Sequence, residues 1–191
     1  MKAKIIQELN DSAALKLRVA ELLADKIEMA TMKVVEAYRD GKKLILAGNG
    51  GSAADAQHIA AEFVVRYKME RRSLPAIALN TDTSVLTATG NDYHFDQIFS
   101  RQMEGHGQKG DVFIAITTSG NSPNILRAVE VAKKIGVYTI GLTGKGGGRL
   151  KDIVDLAIVI PSDSTERIQE AHITIGHIIS NLAERELFKG L

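Results

Sequence analysis

The chain is 191 residues long, 45% apolar, and carries 24 lysine and arginine residues against 23 acidic ones. That length suits one compact domain with a full core, and the near balance of charge supports neither nucleic acid nor an anionic membrane as a partner. Cysteine is absent, which excludes disulfides, thiolate catalysis and Cys-type zinc sites and leaves His, Glu, Asp and Gln as metal donors.

The sequence opens Met-Lys-Ala-Lys and enters an amphipathic pattern at once. With no apolar stretch before a small-residue cleavage site and no run long enough to span a bilayer, it is expected to be cytoplasmic. Ile5, Leu9, Ala13, Leu17, Ala20, Leu23, Ile27, Ala30, Val34 and Ala37 recur at helical spacing. They predict one long helix or two consecutive ones, closed at Asp40-Gly41 with the glycine as C-cap. Residues 1–40 are read as a helical arm for oligomerisation, and 41–191 as the main domain.

After Gly41 short apolar runs alternate with helical segments. Strands are predicted at 44–47, 76–79, 112–117, 138–142 and 156–160, and helices at 53–66, 84–89, 95–105, 125–135 and 165–188. This is the pattern of an α/β fold, a three-layer doubly wound sandwich around a five-stranded parallel sheet.

Three turns follow strands. Gly48-Asn49-Gly50-Gly51-Ser52 joins the first strand to a helix, which is either a plain tight turn or a way of aiming backbone N–H groups at an anion or sugar hydroxyls. Thr117-Thr118-Ser119-Gly120-Asn121-Ser122-Pro123 follows the third strand. Ser122 and Pro123 specify a helix start there, and the row of hydroxyls before it reads as a phosphate cradle. In the third turn, Thr143 to Gly148, no catalytic role is assigned to Lys145.

His58 and Glu62 stand at i, i+4, which turns an imidazole and a carboxylate to one helix face. Gln169 and His177 share the last helix and complete a candidate donor set of nitrogen and oxygen atoms. Eight residues separate those two, about 12 Å along a straight helix. They reach one ion only if Gln169 lies at a loosened helix start and both side chains lean inward, or if different subunits contribute them. His94, His106 and His172 lack such company and are read as surface or core residues. Asn91-Asp92 is either a turn or a hydroxyl-binding pair.

The run from Ala47 to His58, the loop Thr118-Ser119-Gly120-Asn121-Ser122, and Arg167-Ile168-Gln169-Glu170 with His177 resemble the sugar isomerase (SIS) family, and within it the phosphoheptose isomerases. The resemblance covers nearly the whole chain. It implies a cytoplasmic homotetramer, with active sites at subunit interfaces, that converts sedoheptulose 7-phosphate to D-glycero-D-manno-heptopyranose 7-phosphate. That reaction is the first step toward nucleotide-activated heptose for lipopolysaccharide core or other bacterial glycoconjugates. It further implies one zinc ion per active site and no nucleotide cofactor. The implied ligands are His58, Glu62, Gln169 and His177, with Glu62 and His177 also handling protons.

The same resemblance implies that Asn49, Gly50 and Gly51 line the sugar, with Glu62 and Gln169 also in contact. Asn91 and Asp92 would meet its hydroxyls, and Thr117, Thr118, Ser119 and Ser122 would hold the phosphate with Ser52 and Arg66 close by. Glu166 stands where the family pattern can have Asp, and it is left out of the site. Two alternatives share the fold: a non-catalytic protein resembling the DnaA-associating replication regulator, and an isomerase or sensor for another sugar phosphate. Glu62 and His177 favour an enzyme over the first.

The chemistry itself is demanding. An aldose–ketose isomerase moves one proton between adjacent carbons and another between adjacent oxygens, and it must stabilise an enediolate. Glu62 suits the first transfer and His177 the second, while a divalent ion polarises the carbonyl. Zinc is the usual ion for histidine with carboxylate, and manganese or nickel also fits.

Overall fold

The computed structural model describes residues 1–189. Lys2–Arg39 form one continuous helix, α1. No proline or glycine falls within it, so nothing breaks the hydrogen-bond ladder into two pieces. Just beyond it Gly41 adopts φ 69°, the left-handed turn expected of that glycine. Residues 1–11 are exposed, whereas Leu15, Val19, Leu23, Ile27, Ala30 and Val34 are buried. The first three turns are thus exposed, tied to the body through the Glu8–Arg167 ion pair, and from Ser12 onward the helix is a layer of the body.

Five strands follow: β1 (Leu44–Gly48), β2 (Ala76–Ala78), β3 (Val112–Thr117), β4 (Tyr138–Thr143) and β5 (Leu156–Val159). They pair in parallel in the order β2-β1-β3-β4-β5, with Leu44 aligned on Ala76 and Val112. Each central strand is buried on both faces, which is why these runs read as continuous apolar stretches rather than alternating ones.

Alternation still sorts the residues between two cores. Leu44, Leu46, Ile114, Ile116, Ile140 and Ile158 pack against α1 together with α2 (Gly51–Val64) and α7 (Thr165–Leu187). Ile45, Ala47, Phe113 and Ala115 face the opposite layer, which holds α4 (Ser100–His106), α5 (Pro123–Ile135) and the short α6 (Leu150–Ile153). The helix α3 (Thr83–Asp92) follows β2 and touches this second layer through Leu86.

The structure departs from the sequence reading at several helices, among them α3, which runs to Asp92 rather than residue 89, and α5, which starts at Pro123 rather than residue 125. The helix predicted at 95–105 is a 3₁₀ turn, Phe95–Gln97, followed by α4. Phe95 is exposed, and the buried spacing begins only at Ile98, Phe99 and Met103. The helix predicted from 53 starts at Gly51, because Gly50 turns the chain there with φ 56°. The four-residue α6 is too short to carry a period.

The chain leaves β1 for the outer strand β2 and then crosses back to β3 on the other side of β1. Connections diverge at that point, and a crevice opens beyond the carboxyl ends of β1 and β3, where doubly wound sheets bind their ligands.

Candidate active site

Two helices start in this crevice. α2 begins after Gly50 and α5 after Ser122, and neither N-terminus is capped by a side chain, in contrast to α3 and α7, capped by Asp82 and Ser164. Ser122 occupies the cap position as anticipated, but its hydroxyl pairs with Thr117 Oγ1 at 2.9 Å. The positive ends of both helix dipoles therefore face the crevice and favour an anion, although in α5 Pro123 has no N–H and the Ile125 N–H donates to Asn124 Oδ1 at 2.9 Å.

Between them lies a cavity of about 100 Å³ lined by Asn49, Ser52, Thr117, Thr118, Ser119, Ser122 and Gln169. Asn49 and Asn124 exchange reciprocal amide hydrogen bonds of 2.9 Å each across its base. This joins the β1 and β3 turns. Gly120 adopts φ 66°, and a Cβ there would stand 2.0 Å from the Gly147 carbonyl oxygen. The cradle loop is thus pressed backbone to backbone on the turn after β4, a contact only glycine permits.

The second part of the site lies along α2 and α7. These helices run parallel: Gly51 meets Gln169, Ile59 meets Gly176 and His58 meets His177. A Cβ on Gly176 would lie 2.4 Å from Ile59 Cδ1, so the glycine lets the helices approach closely. One donor atom each from His58, Glu62 and His177 lies within 4.8 Å of the others. His58 Nε2 is 3.2 Å from Glu62 Oε1 and 3.3 Å from His177 Nε2.

Those spacings fit zinc. Bonds of about 2.0–2.1 Å in a tetrahedron place neighbouring donors about 3.3 Å apart. Two imidazoles and one carboxylate would supply three ligands to such an ion, leaving a fourth to a further ligand or substrate.

Gln169 does not join this group within one subunit. Its amide nitrogen lies 2.5 Å from where a Cβ on Gly51 would be, in the cradle cavity and about 12 Å along α7 from His177. The helix start is not loosened, since α7 begins at Thr165 with its Ser164 cap in place. The loosened start on which a single-chain route depends is thus absent. Arg66 also stands apart from the cradle, beyond the far end of α2 and paired with Glu70 at 3.5 Å. Asn91 and Asp92 close α3 as exposed residues, Asn91 donating to Asp92 at 2.9 Å.

Three further residues near the site carry no signal in the sequence. Asp55 shares the α2 face of His58 and Glu62, and its Oδ2 is buried without a hydrogen-bond partner. Burial pushes its carboxyl up to about 6, against the opposing effect of His58. Tyr67 lies 5.8 Å from the His177 ring, centroid to centroid, with the rings stacked. Asn124 lies 75 residues from its partner Asn49, and no local pattern could have linked them.

A model of the SIS domain family matches residues 9–144. A phosphoheptose isomerase from Geobacter sp. (strain M21) is 60% identical over 166 residues, 87% of this chain and 86% of that one. Its counterpart from Sulfurimonas denitrificans is 55% identical over 190 residues, 98% and 97% of the two chains. Among solved structures, a phosphoheptose isomerase from Francisella tularensis superposes with a TM-score of 0.93 at 38% identity, covering 96% of this chain and 97% of that one. The phosphoheptose isomerase GmhA from Neisseria gonorrhoeae gives 0.91 at 37% identity, over 96% and 98%. The chain therefore belongs to the SIS domain family and, within it, to the phosphoheptose isomerases.

Proposed function

We propose that this chain interconverts sedoheptulose 7-phosphate and D-glycero-D-manno-heptopyranose 7-phosphate at a zinc centre, supplying the first intermediate toward nucleotide-activated heptose. The observation that carries the reading is the convergence of His58, Glu62 and His177 on a common point, joined by α2 to an uncapped, hydroxyl-lined anion cradle. Gln169 completes the ligand set from another copy of the chain.

The phosphate docks at the starts of α2 and α5, where Thr117, Thr118, Ser119 and Ser122 present hydroxyls and the helix ends present amides. Asn49, Gly50, Gly51 and Ser52 line the sugar. Glu62 takes the proton from the carbon next to the carbonyl and returns it to the neighbouring carbon. His177 carries the second proton between the two oxygens, so charge and atoms balance at each half of the exchange. Zinc supplies Lewis-acid stabilisation of the oxygen that gains negative charge. Asn91, Asp92 and Arg66 act in the site only if another subunit brings them to it.

An oligomer follows from the same reading. Ile5, Ile6, Leu9, Leu17, Leu22, Met29 and Met32 leave α1 with exposed apolar side chains. An apolar groove of about 270 Å³ runs between α1 and α7, lined among others by Val19, Ile27, Ile175, Ile178 and Leu182. Patches of this kind mark subunit contacts, and a homotetramer is the assembly proposed. Among the described residues no helix is long and apolar enough to cross a membrane, and the cytoplasm is the proposed location.

The deciding experiment incubates zinc-loaded protein with sedoheptulose 7-phosphate and follows aldoheptose phosphate by NMR, with and without a chelator. Turnover that the chelator removes supports isomerase and metal together. Turnover that survives complete metal removal retires the metal from the mechanism, and absence of turnover in the zinc-loaded protein retires the reaction.

A further inference from the structure

Beyond the cluster, the chain leaving α2 is tied down by a buried ion pair that the chemistry above does not use. Glu184, on α7 two turns beyond His177, and Arg71, in the loop after α2, pair at 3.0 Å with both side chains 1% exposed. The Glu184 carboxylate also accepts three consecutive backbone N–H groups, from Tyr67, Lys68 and Met69, at 3.0, 2.7 and 2.9 Å. Burial alone would raise its carboxyl; the three amides and the Arg71 charge outweigh that and hold it below the ordinary carboxylate value.

Arg71 faces the other way as well. Its Nη2 donates to the Glu62 carbonyl at 2.8 Å, and its Nη1 donates to the Phe63 carbonyl at 2.8 Å. These are among the last carbonyls of α2, which have no helical partner and attract a cation. The guanidinium therefore closes the helix that carries Glu62, and the carboxylate paired with it belongs to the helix that carries His177. The segment they pin holds Tyr67, whose ring stacks on His177.

We propose that Glu184, Arg71 and Tyr67 are positioning residues for the His58–Glu62–His177 centre: the ion pair locks the end of α2 onto α7, and the Tyr67 ring sets the plane of the His177 imidazole. A buried pair costs desolvation that an apolar substitute avoids, and three amides plus a guanidinium on one carboxylate specify a geometry that apolar packing does not. Ligating side chains depend on such outer partners for orientation. The inference rests on the reading of the three side chains as a metal centre, and its test separates the two.

Full-length apoprotein is titrated with zinc against a chromogenic chelator, the cobalt-substituted form is followed by its visible spectrum, and kcat and KM are measured on the loaded enzyme. Wild type, Glu184→Gln, Tyr67→Ala and Tyr67→Phe are compared at equal folded fraction by circular dichroism. Glu184→Gln and Tyr67→Ala are expected to bind zinc roughly 10- to 100-fold more weakly, to shift the cobalt spectrum, and to lose kcat while KM moves little. Tyr67→Phe, which keeps the ring, restores affinity and spectrum. Should Glu184→Gln not fold, Tyr67→Ala against Tyr67→Phe decides. Wild-type protein that binds no ion overturns the metal reading itself. Binding in wild type that Tyr67→Ala and folded Glu184→Gln match in affinity, spectrum and kcat overturns the positioning role alone.

Discussion

His58 and His177 turn the same ring atom toward each other, Nε2 to Nε2, at 3.3 Å, with their rings nearly perpendicular. Two neutral imidazoles share a proton poorly across such a contact once Glu62 Oε1 also closes on His58 Nε2 at 3.2 Å, because one nitrogen then has two acceptors around it and one proton to give. A cation between them satisfies all three donor atoms at once. His58→Ala should therefore weaken zinc binding by more than the roughly 10- to 100-fold typical of outer partners. Equilibrium dialysis against a buffered zinc series checks it, and an unchanged affinity would move the metal elsewhere.

Glu62→Gln keeps the volume and removes the base. Turnover should fall roughly 10²- to 10⁴-fold, with the melting temperature nearly unchanged because the side chain is partly exposed, at 20%. Wild-type rates in a folded variant would remove Glu62 from proton transfer.

Ser119 lines the cradle cavity; its Oγ accepts from the Asn121 N–H at 3.2 Å and stands 3.4 Å from Thr117 Oγ1, so its proton is available to donate to a ligand. Ser119→Ala deletes one hydrogen bond, typically a net 0.5–1.5 kcal/mol. It should raise KM on the order of 2- to 10-fold at constant kcat. Steady-state kinetics showing an unchanged KM would place the phosphate elsewhere.

His172 is 1% exposed, and neither ring nitrogen has a hydrogen-bond partner. Burial pushes its imidazole down to about 4, and the nearby Thr143 backbone opposes that without closing a bond of good geometry. The folded state thus binds this proton less readily than the unfolded one. The neutral ring's contribution is complete above its ordinary value of about 6.5 and is lost as pH falls toward 4, at up to about 1.4 kcal/mol per pH unit. Urea denaturation from pH 7 to 4.5 should show that slope in wild type and a shallower one in His172→Leu. Equal slopes would rule out this histidine as the cause.

The apolar groove between α1 and α7 should be covered in solution. Sedimentation velocity is expected to give four times the chain mass of 20.7 kDa, and Leu182→Glu, at the groove edge, should lower it. A wild-type monomer would end the proposal that Gln169 comes from another subunit.

Much of the framework was legible in the residues. All five strands fall within one residue of their predicted ends, because strands buried on both faces are continuous apolar runs bounded by glycine and polar turns. The His58, Glu62 and His177 convergence was readable from helical spacing together with the resemblance. What could not be read depends on separation along the chain. Glu184 meets Tyr67 across 117 positions, and Asn49 meets Asn124 across 75. Each is an ordinary polar residue on an ordinary helix or turn until the fold assembles its partner. The Gln169 difficulty was visible as an arithmetic of helical rise, and the intact start of α7 removes a loosened helix start as the way round it.

Because α2 and α7 lie side by side in the same direction, their backbone dipoles add instead of cancelling. The amide-rich start of α2 stands at the cradle, while its carbonyl-rich end faces the Arg71 guanidinium. The molecule thereby carries a built-in electrical polarity along the line that a sugar phosphate would occupy. A dianionic group entering from solvent is drawn to one end only, so the substrate is turned head from tail before any side chain has recognised its hydroxyls.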